Sequence, residues 1–435
     1  KQTEAQKESD SQKETESEKQ SESQKETESE KQTESQKETE SEKQSESQKE
    51  TESEKQSESQ KETESEKQSE SQKESESEKE TETNPGGENL PAERSTVLSS
   101  VRNYLLTKDA NPDFSSIWNV IGLQRSGLYV PWSYTATFYQ NVYAYCEQKN
   151  WKLTRTKYSD YSKLIMALTS IGIDAQNVGE HNLFDYLSDY ENVRMQGING
   201  PIWALIALDS GDYEVPEDAY QSREEILAEL LKAQESDGGF SLSAGSGQMD
   251  VDITAMALTA LAPYYEENSE AKAAADLALS WISEHQESDG GFCSSMDTGT
   301  ESSESCAQVL TALCSLGIDP QSDSRFIKNG NTVLDNLMSF RQEDGGFVHA
   351  YVYDASNPAS IPDESDFLAG GQAAYALTAF CRYKNNMKNL FNLRPEKASL
   401  LSKNGSAMPV MVIAVVIAVI AAAVVLMLKR RNKKE

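Results

Sequence analysis

Apolar residues between positions 93 and 390 follow two alternating patterns along the chain. Six segments are apolar on nearly every side, as in helices buried all round. Six others carry one apolar stripe, as in helices that cover a core and face water. The alternation predicts an all-α fold, a single (α/α)6 barrel (toroid) of about 12 helices. The inner segments are 116–125, 160–171, 200–210, 251–262, 304–316 and 371–383, and the outer ones are 93–107, 134–148, 182–190, 222–234, 270–286 and 330–342.

One phrase recurs where an outer segment ends and an inner one follows. It reads QESDGGF at Gln234–Phe240 and Gln286–Phe292, and QEDGGF at Gln342–Phe347. The Asp suits a turn or cap, the Gly pair accepts positive φ, and the Phe is expected to fold onto the barrel. The alternating oxygen ligands of a calcium loop are missing, so no metal site is predicted.

Residues 1–83 form a low-complexity tail with a 12-residue period, QKETESEKQSES. The tail holds 14 Lys against 28 acidic residues, a net charge of −14 out of −31 for the whole chain. Without aromatic or branched aliphatic residues it has nothing to bury, so we expect it to be disordered and solvated. Residues 84–92 are interpreted as a linker to the toroid at 93–390.

The other end of the chain carries a 21-residue stretch without charge, 408–428, after a juxtamembrane linker at 391–407. This length is sufficient to cross a bilayer. The basic segment 429–435 follows, and the positive-inside rule places it in the cytoplasm. We therefore expect a single-pass type I protein of the cell membrane with the toroid outside the cytoplasm, and a signal peptide already removed.

An exterior location and an acidic balance exclude several functions. Nucleic acid binding requires a basic footprint, which the sequence lacks. Five Cys and three His show no CxxC or other metal-ligand spacing, so neither a metal nor another cofactor is predicted. We expect a monomer.

The repeat resembles that of the terpenoid cyclase and protein prenyltransferase superfamily of α/α toroids. Asp250–Ala255 (DVDITA) is similar to the DxDDTA motif of squalene-type cyclases, and Gln196–Ser210 (QGINGPIWALIALDS) resembles bacterial surface proteins of this superfamily. Their barrels also resemble the cobalamin-binding domain of intrinsic factor and transcobalamin. The resemblance covers residues 93–390 and implies the toroid fold.

The enzymatic motifs of these relatives are incomplete in this chain. The resemblance implies that Asp252 would be the general acid of a cyclase-like enzyme, but Ile253 replaces the last carboxylate, and either Asp250 or Asp252 suits a cap of the helix that begins near Val251. In the prenyltransferase zinc site, Glu304-Ser305-Cys306 would match one part, whereas Gly370 and Gly371 stand where the His is expected. Cobalamin-type ligand capture is a second alternative, although the β-rich domain that completes such sites is absent.

We expect any ligand to bind where the inner helices begin, because polar groups and helix N-termini converge there between aromatic walls. The interpretation that follows is a membrane-anchored, non-enzymatic ligand-binding or adhesion protein, whose ligand is a small molecule or a cell-surface group. The candidate binding residues are Trp118, Asp160, Tyr161, Asn199, Trp203, Asp250, Asp252, Glu304, Gln372 and Tyr375.

Overall fold

The structure is a computed structural model, and it describes residues 92–211, 213–216, 219, 221–294, 300–353 and 361–395. Within these ranges, twelve α-helices alternate between an outer and an inner position. The outer helices are α1 (Ala92–Lys108), α3 (Trp132–Gln148), α5 (Tyr190–Val193), α7 (Arg223–Lys232), α9 (Ser269–Glu284) and α11 (Val333–Ser339). The inner helices are α2 (Ile117–Arg125), α4 (Ser159–Ser170), α6 (Asn199–Ser210), α8 (Val251–Leu261), α10 (Ser303–Ser315) and α12 (Phe367–Lys384).

The inner helices form a closed ring. Each packs against the next in chain order, and α12 packs against α2. Glycines on α2 and α12 allow this closure: a Cβ on Gly122 would lie 3.0 Å from the Tyr375 nitrogen, and one on Gly371 would lie 2.3 Å from Asn119 Oδ1. The predicted helical α/α toroid is therefore confirmed. We call the space enclosed by the inner helices the lumen.

The DGG phrases form the turns that join outer helices to inner ones at the N-terminal end of the lumen. Gly238, Gly290 and Gly345 have φ of 98°, 92° and 91°, which only glycine adopts readily. The second glycine of each pair is required for space instead, because a Cβ on Gly239 would lie 2.8 Å from the Met249 sulfur. The phenylalanines that follow are fully buried (Phe240, Phe292 and Phe347).

Two outer elements differ from the prediction. The third outer helix, expected at 182–190, is broken into a 3-10 turn at Leu183–Leu187, the short α5 and a 3-10 turn at Arg194–Gln196. Asn182 and Asp189 each cap a separate element, so the chain restarts twice instead of forming one helix. Before α11, residues 327–332 form a two-stranded antiparallel hairpin, β1 (Ile327–Lys328) and β2 (Asn331–Thr332), which delays the helix expected from 330.

The expected tail, the expected span at 408–428 and the basic end all lie outside the described residues. Among the residues that are described, no helix has both the length and the apolar character needed to cross a bilayer.

Candidate functional site in the lumen

The lumen contains a cluster of aromatic side chains that come from helices on different sides of the ring. Trp118 on α2 and Trp203 on α6 have ring centroids 5.0 Å apart, although α4 lies between the two helices in the ring. The contact therefore crosses the lumen. Tyr375 on α12 lies 5.5 Å from Trp118, and Phe391, from the segment after α12, lies 5.9 Å from Trp203. We call these four residues the aromatic floor.

The segment that carries Phe391 is held against the C-terminal ends of the inner helices. The Arg125 guanidinium donates to the carbonyl oxygens of Asn389, Leu390 and Asn392 at 2.8–3.0 Å. Leu393 N donates to Ser210 O at 2.8 Å. The segment thereby lies across the C-terminal ends of inner helices, beside a cavity of about 190 Å³ that Asp209, Asn389 and Arg394 help to line.

Above the floor, toward the inner-helix N-termini, lie two carboxyl groups on different helices, Asp252 on α8 and Glu304 on α10. Burial raises the pKa of Tyr375 well above its usual value, and the charges of Asp252 and Glu304 raise it further. Asp252 and Glu304 are the second residues of α8 and α10, two inner helices that pack against each other. The two carboxyl groups thus face the same enclosed space.

Glu304 is paired with a histidine that the sequence analysis did not select. The Nδ1 atom of His349 lies 2.9 Å from Glu304 Oε2, and both side chains are nearly buried, at 12% and 11% exposure. Ser303 N donates to His349 O at 2.9 Å, which fixes the loop before α12 to the start of α10. Burial raises the pKa of Glu304, and the hydrogen bond with His349 lowers it. The pair can therefore hold or release a proton at a defined atom.

The α10–α12 side of the lumen also carries a network of neutral polar groups. Gln308 Nε2 donates to Gln372 Oε1 at 3.1 Å, and the Tyr375 hydroxyl donates to the same oxygen at 2.9 Å. Gln372 is therefore oriented by two donors from two helices. Its Nε2 group can still donate a hydrogen bond to an oxygen atom of a ligand.

The opposite side of the lumen has charged groups that are not bonded to each other. Asp160 and Lys163 are the half-buried residues in the first turns of α4, one helical turn apart, and the next residues are buried. Lys163 Nζ lies 5.6 Å from the Trp118 ring centroid. Burial raises the pKa of Asp160 and lowers that of Lys163.

Two of the predicted binding residues do not line the lumen. Tyr161 points into the outer layer, where its hydroxyl donates to Trp151 O at 2.9 Å and its ring stacks on Tyr186 at 4.7 Å. It follows Asp160 by one residue, which turns it about 100° around the helix axis. Asp250 caps α8 by accepting from the nitrogens of Asp252 and Ile253, and it accepts from Ser294 Oγ at 2.7 Å.

The remaining candidates lie on the lumen side of the inner helices: Trp118, Asp160, Asn199, Trp203, Asp252, Glu304, Gln372 and Tyr375. Sequence reasoning missed Lys163, Gln308, His349 and Phe391. For Lys163 and Gln308 a signal existed, since each is a polar residue inside an otherwise apolar helix. His349 and Phe391 come from irregular segments, whose position in space has no period to reveal it.

Comparison with known proteins relates the fold to a family of toroids. Residues 180–356 match the family model described as the prenyltransferase alpha-alpha toroid domain. The resemblance to the terpenoid cyclase and protein prenyltransferase superfamily is thus confirmed over these residues of the toroid. No curated protein matches the chain.

Solved structures with similar helices include the unsaturated glucuronyl hydrolase from Bacillus sp. GL1. It is 14% identical, with a TM-score of 0.48, over 70% of this chain and 99% of that one. Another, a protein from Actinoplanes, is 12% identical, with a TM-score of 0.42, over 66% of this chain and 99% of that one. Likenesses this distant identify no substrate and no catalytic residue in this chain.

The expectation of a non-enzymatic binding or adhesion protein is contradicted by these neighbours and is withdrawn. One of the matching structures is an enzyme, described as responsible for the degradation of glycosaminoglycan. In this chain the cyclase and prenyltransferase motifs are incomplete. Incomplete motifs exclude only those two chemistries, and a toroid can carry others.

Proposed function

We propose that this chain is an acid–base enzyme and that its reaction takes place in the lumen above the aromatic floor. The observation that carries the proposal is the contact of 2.9 Å between His349 Nδ1 and Glu304 Oε2 inside the toroid. A carboxyl group with a raised pKa, oriented by a second titratable group, is the arrangement that general acid catalysis needs.

The reaction proposed is the hydrolysis of a glycosidic bond. Glu304 donates its proton to the leaving oxygen as the bond from the anomeric carbon breaks, and a water molecule adds to that carbon. Asp252, the second carboxyl group in the lumen, takes the proton that the water loses. Two carboxyl groups in these roles are what glycoside hydrolysis requires. His349 keeps the Glu304 carboxyl in place and exchanges a proton with it between turnovers.

The walls of the lumen support a saccharide as the substrate. Trp118 is the member of the aromatic floor that remains half-buried, whereas Trp203, Tyr375 and Phe391 are buried. A sugar can stack its apolar face on an indole ring, and the amides of Gln308 and Gln372 suit its hydroxyl groups. The lumen is less suited to a cyclase reaction, because the Lys163 ammonium beside Trp118 would repel the carbocation that such a reaction forms.

The proposal is tested by incubating the full chain with a panel of p-nitrophenyl glycosides and oligosaccharides, with product release followed by absorbance and mass spectrometry. We expect turnover of at least one saccharide and a decrease in kcat of about 100-fold or more for Glu304→Gln. Glu284→Gln, an exposed carboxyl at the end of α9, is the matched control and should keep full activity. No turnover by the wild type, or equal turnover by Glu304→Gln, would contradict the proposal.

We also propose that the protein is displayed on the cell membrane through residues 408–428, with the toroid outside the cytoplasm. The uncharged stretch and the basic residues that follow it support this orientation. Added protease should digest residues 1–83 on intact cells and leave 429–435 protected. Digestion only after lysis would contradict the orientation.

A further inference from the structure

The lumen has two sides that differ in how well their polar groups are satisfied. On the α10–α12 side, Glu304 is bonded to His349, and Gln308 and Tyr375 are bonded to Gln372. The side formed by α2, α4 and α6, here called the recognition wall, carries Trp118, Asp160, Lys163 and Asn199. Polar groups of the recognition wall lack comparable bonds within the described residues.

Lys163 is the clearest case. Its ammonium takes part in no hydrogen bond and no ion pair within the described ranges, and Trp118 is the ring beneath it at 5.6 Å. Asp160 is one turn away on the same helix, yet the two groups do not come within ion-pair distance in this part of the chain. An ammonium has three donors, and leaving them without acceptors in an enclosed space costs free energy.

Asn199 is a second residue of the recognition wall with a polar atom that is not satisfied. Asn199 Oδ1, at the start of α6, is buried and accepts no hydrogen bond from the described residues. It follows that this wall presents an unused acceptor as well as an unused cation. A ligand that brings an anionic group and a hydroxyl group would satisfy both.

We propose that the recognition wall binds a saccharide unit that carries one carboxylate, with the carboxylate held by Lys163 and the ring stacked on Trp118. This inference deepens the proposed function, on which it rests, by naming the substrate class. A singly charged group is favoured over a phosphate, because Asp160 lies one turn from Lys163 on the same helix and would repel a dianion more strongly than a monoanion. A hydroxyl of the same sugar donates to Asn199 Oδ1.

The test compares binding of charged and neutral sugars that are otherwise alike. The full chain is titrated with galacturonate and galactose oligosaccharides, and with a sulfated galactose oligosaccharide, and binding is followed by intrinsic tryptophan fluorescence, to which Trp118 contributes. We expect the galacturonate compound to bind about 10-fold or more tightly than the galactose compound. Lys163→Met should abolish this difference, Lys163→Arg should keep it, and Lys157→Met, an exposed lysine before the same helix, should keep it.

Several outcomes would overturn the inference: equal binding of charged and neutral compounds, a preference for the sulfated compound, no binding of any of them, or a preference that survives Lys163→Met. A thermal melt by circular dichroism shows that each variant is folded.

Glu304→Gln separates the two proposals, since it should bind the galacturonate compound normally and not turn it over. If the wild type prefers the carboxylate compound but hydrolyses no saccharide, the inference about recognition stands and the proposed reaction is wrong. If it hydrolyses saccharides without that preference, the proposed reaction stands and the inference is wrong.

Discussion

The Nδ1 atom of His349 lies 2.9 Å from Oε2 of Glu304, although 45 positions separate the two residues in the sequence. The toroid brings them together because Glu304 begins an inner helix and His349 lies in the loop that leads to the next inner helix. The backbone bond from Ser303 N to His349 O fixes the same pair of segments. The dyad is thus built by the turn between repeats, and its geometry depends on that turn.

The first prediction concerns the role of His349 in the proposed reaction. The hydrogen bond from His349 lowers the pKa of Glu304, so removing the ring in His349→Leu should raise that pKa further. An acid catalyst loses activity as the pH rises through its pKa, so the alkaline limb of kcat/KM should move to higher pH. We expect kcat to decrease about 10-fold or more as the carboxyl loses its orientation. A pH profile of unchanged shape would show that His349 has only a structural role. His285→Leu, directly after the outer helix α9, is the control and should leave the profile unchanged.

The second prediction concerns Glu301, which lies just before α10. Burial, followed by a hydrogen bond with Asp289 and its charge, raises the pKa of Glu301 to about 7 from 4.5. Because the folded pKa is the higher one, the folded state holds the proton more tightly. Its stabilising contribution is full below pH 4.5 and is lost as the pH rises through about 7. Glu301→Gln should therefore stabilise the protein at pH 8 by about 1 kcal/mol, after allowance for solvent screening of this half-buried group.

Urea unfolding at pH 5 and pH 8 tests this directly. The variant and the wild type should be close in stability at pH 5 and should separate at pH 8. Glu284→Gln, an exposed carboxyl at the end of α9 that does not contribute to the raised pKa of Glu301, should not reproduce the effect. A constant difference between Glu301→Gln and the wild type across this pH range would contradict the assignment.

The third prediction separates two reasons for glycine in the repeat. Gly290 has φ of 92°, and a Cβ there would lie 2.4 Å from Thr332 O, whereas Gly330 has φ of 88° and open space around it. Gly330→Ala should cost only the conformational strain, about 1 kcal/mol. Gly290→Ala should cost at least about 2 kcal/mol more, because a backbone atom must move. Equal costs in urea unfolding would show that crowding at the DGG turn is unimportant.

The fourth prediction concerns the cap of α8. Asp250 accepts from two backbone nitrogens at 2.9 and 3.1 Å and from Ser294 Oγ at 2.7 Å, so Asp250→Ala leaves three donors without this acceptor. We expect a loss of about 1–2 kcal/mol in the free energy of unfolding. Asp237→Ala, at an exposed Asp of the first DGG turn, is the comparison and should change stability by less than about 0.5 kcal/mol. Similar losses for both would contradict the capping role.

The repeat shows how much the sequence alone can predict. The positive φ of the first Gly in each QxxDGGF phrase and the burial of its Phe were predicted from local preference and hydrophobicity, and both are confirmed. The second Gly was predicted at positive φ as well, but it does not adopt it and is required for space. The third outer helix was predicted wrongly at 182–190, because Asn182 and Asp189 cap separate short elements. A capping residue inside a periodic stretch competes with the helix, and the periodic pattern alone does not show which one dominates.

The sequence by itself determined the ring of alternating helices, because burial on all sides or on one side imposes a period that can be read along the chain. It also identified most of the residues at the inner-helix starts. Only the tertiary structure decided which side chains meet in the lumen: it turned Tyr161 outward, brought His349 to Glu304 and left Lys163 above Trp118. The physical reason is that helix rotation, ring closure and the course of irregular segments depend on packing between distant parts of the chain, which no local pattern specifies.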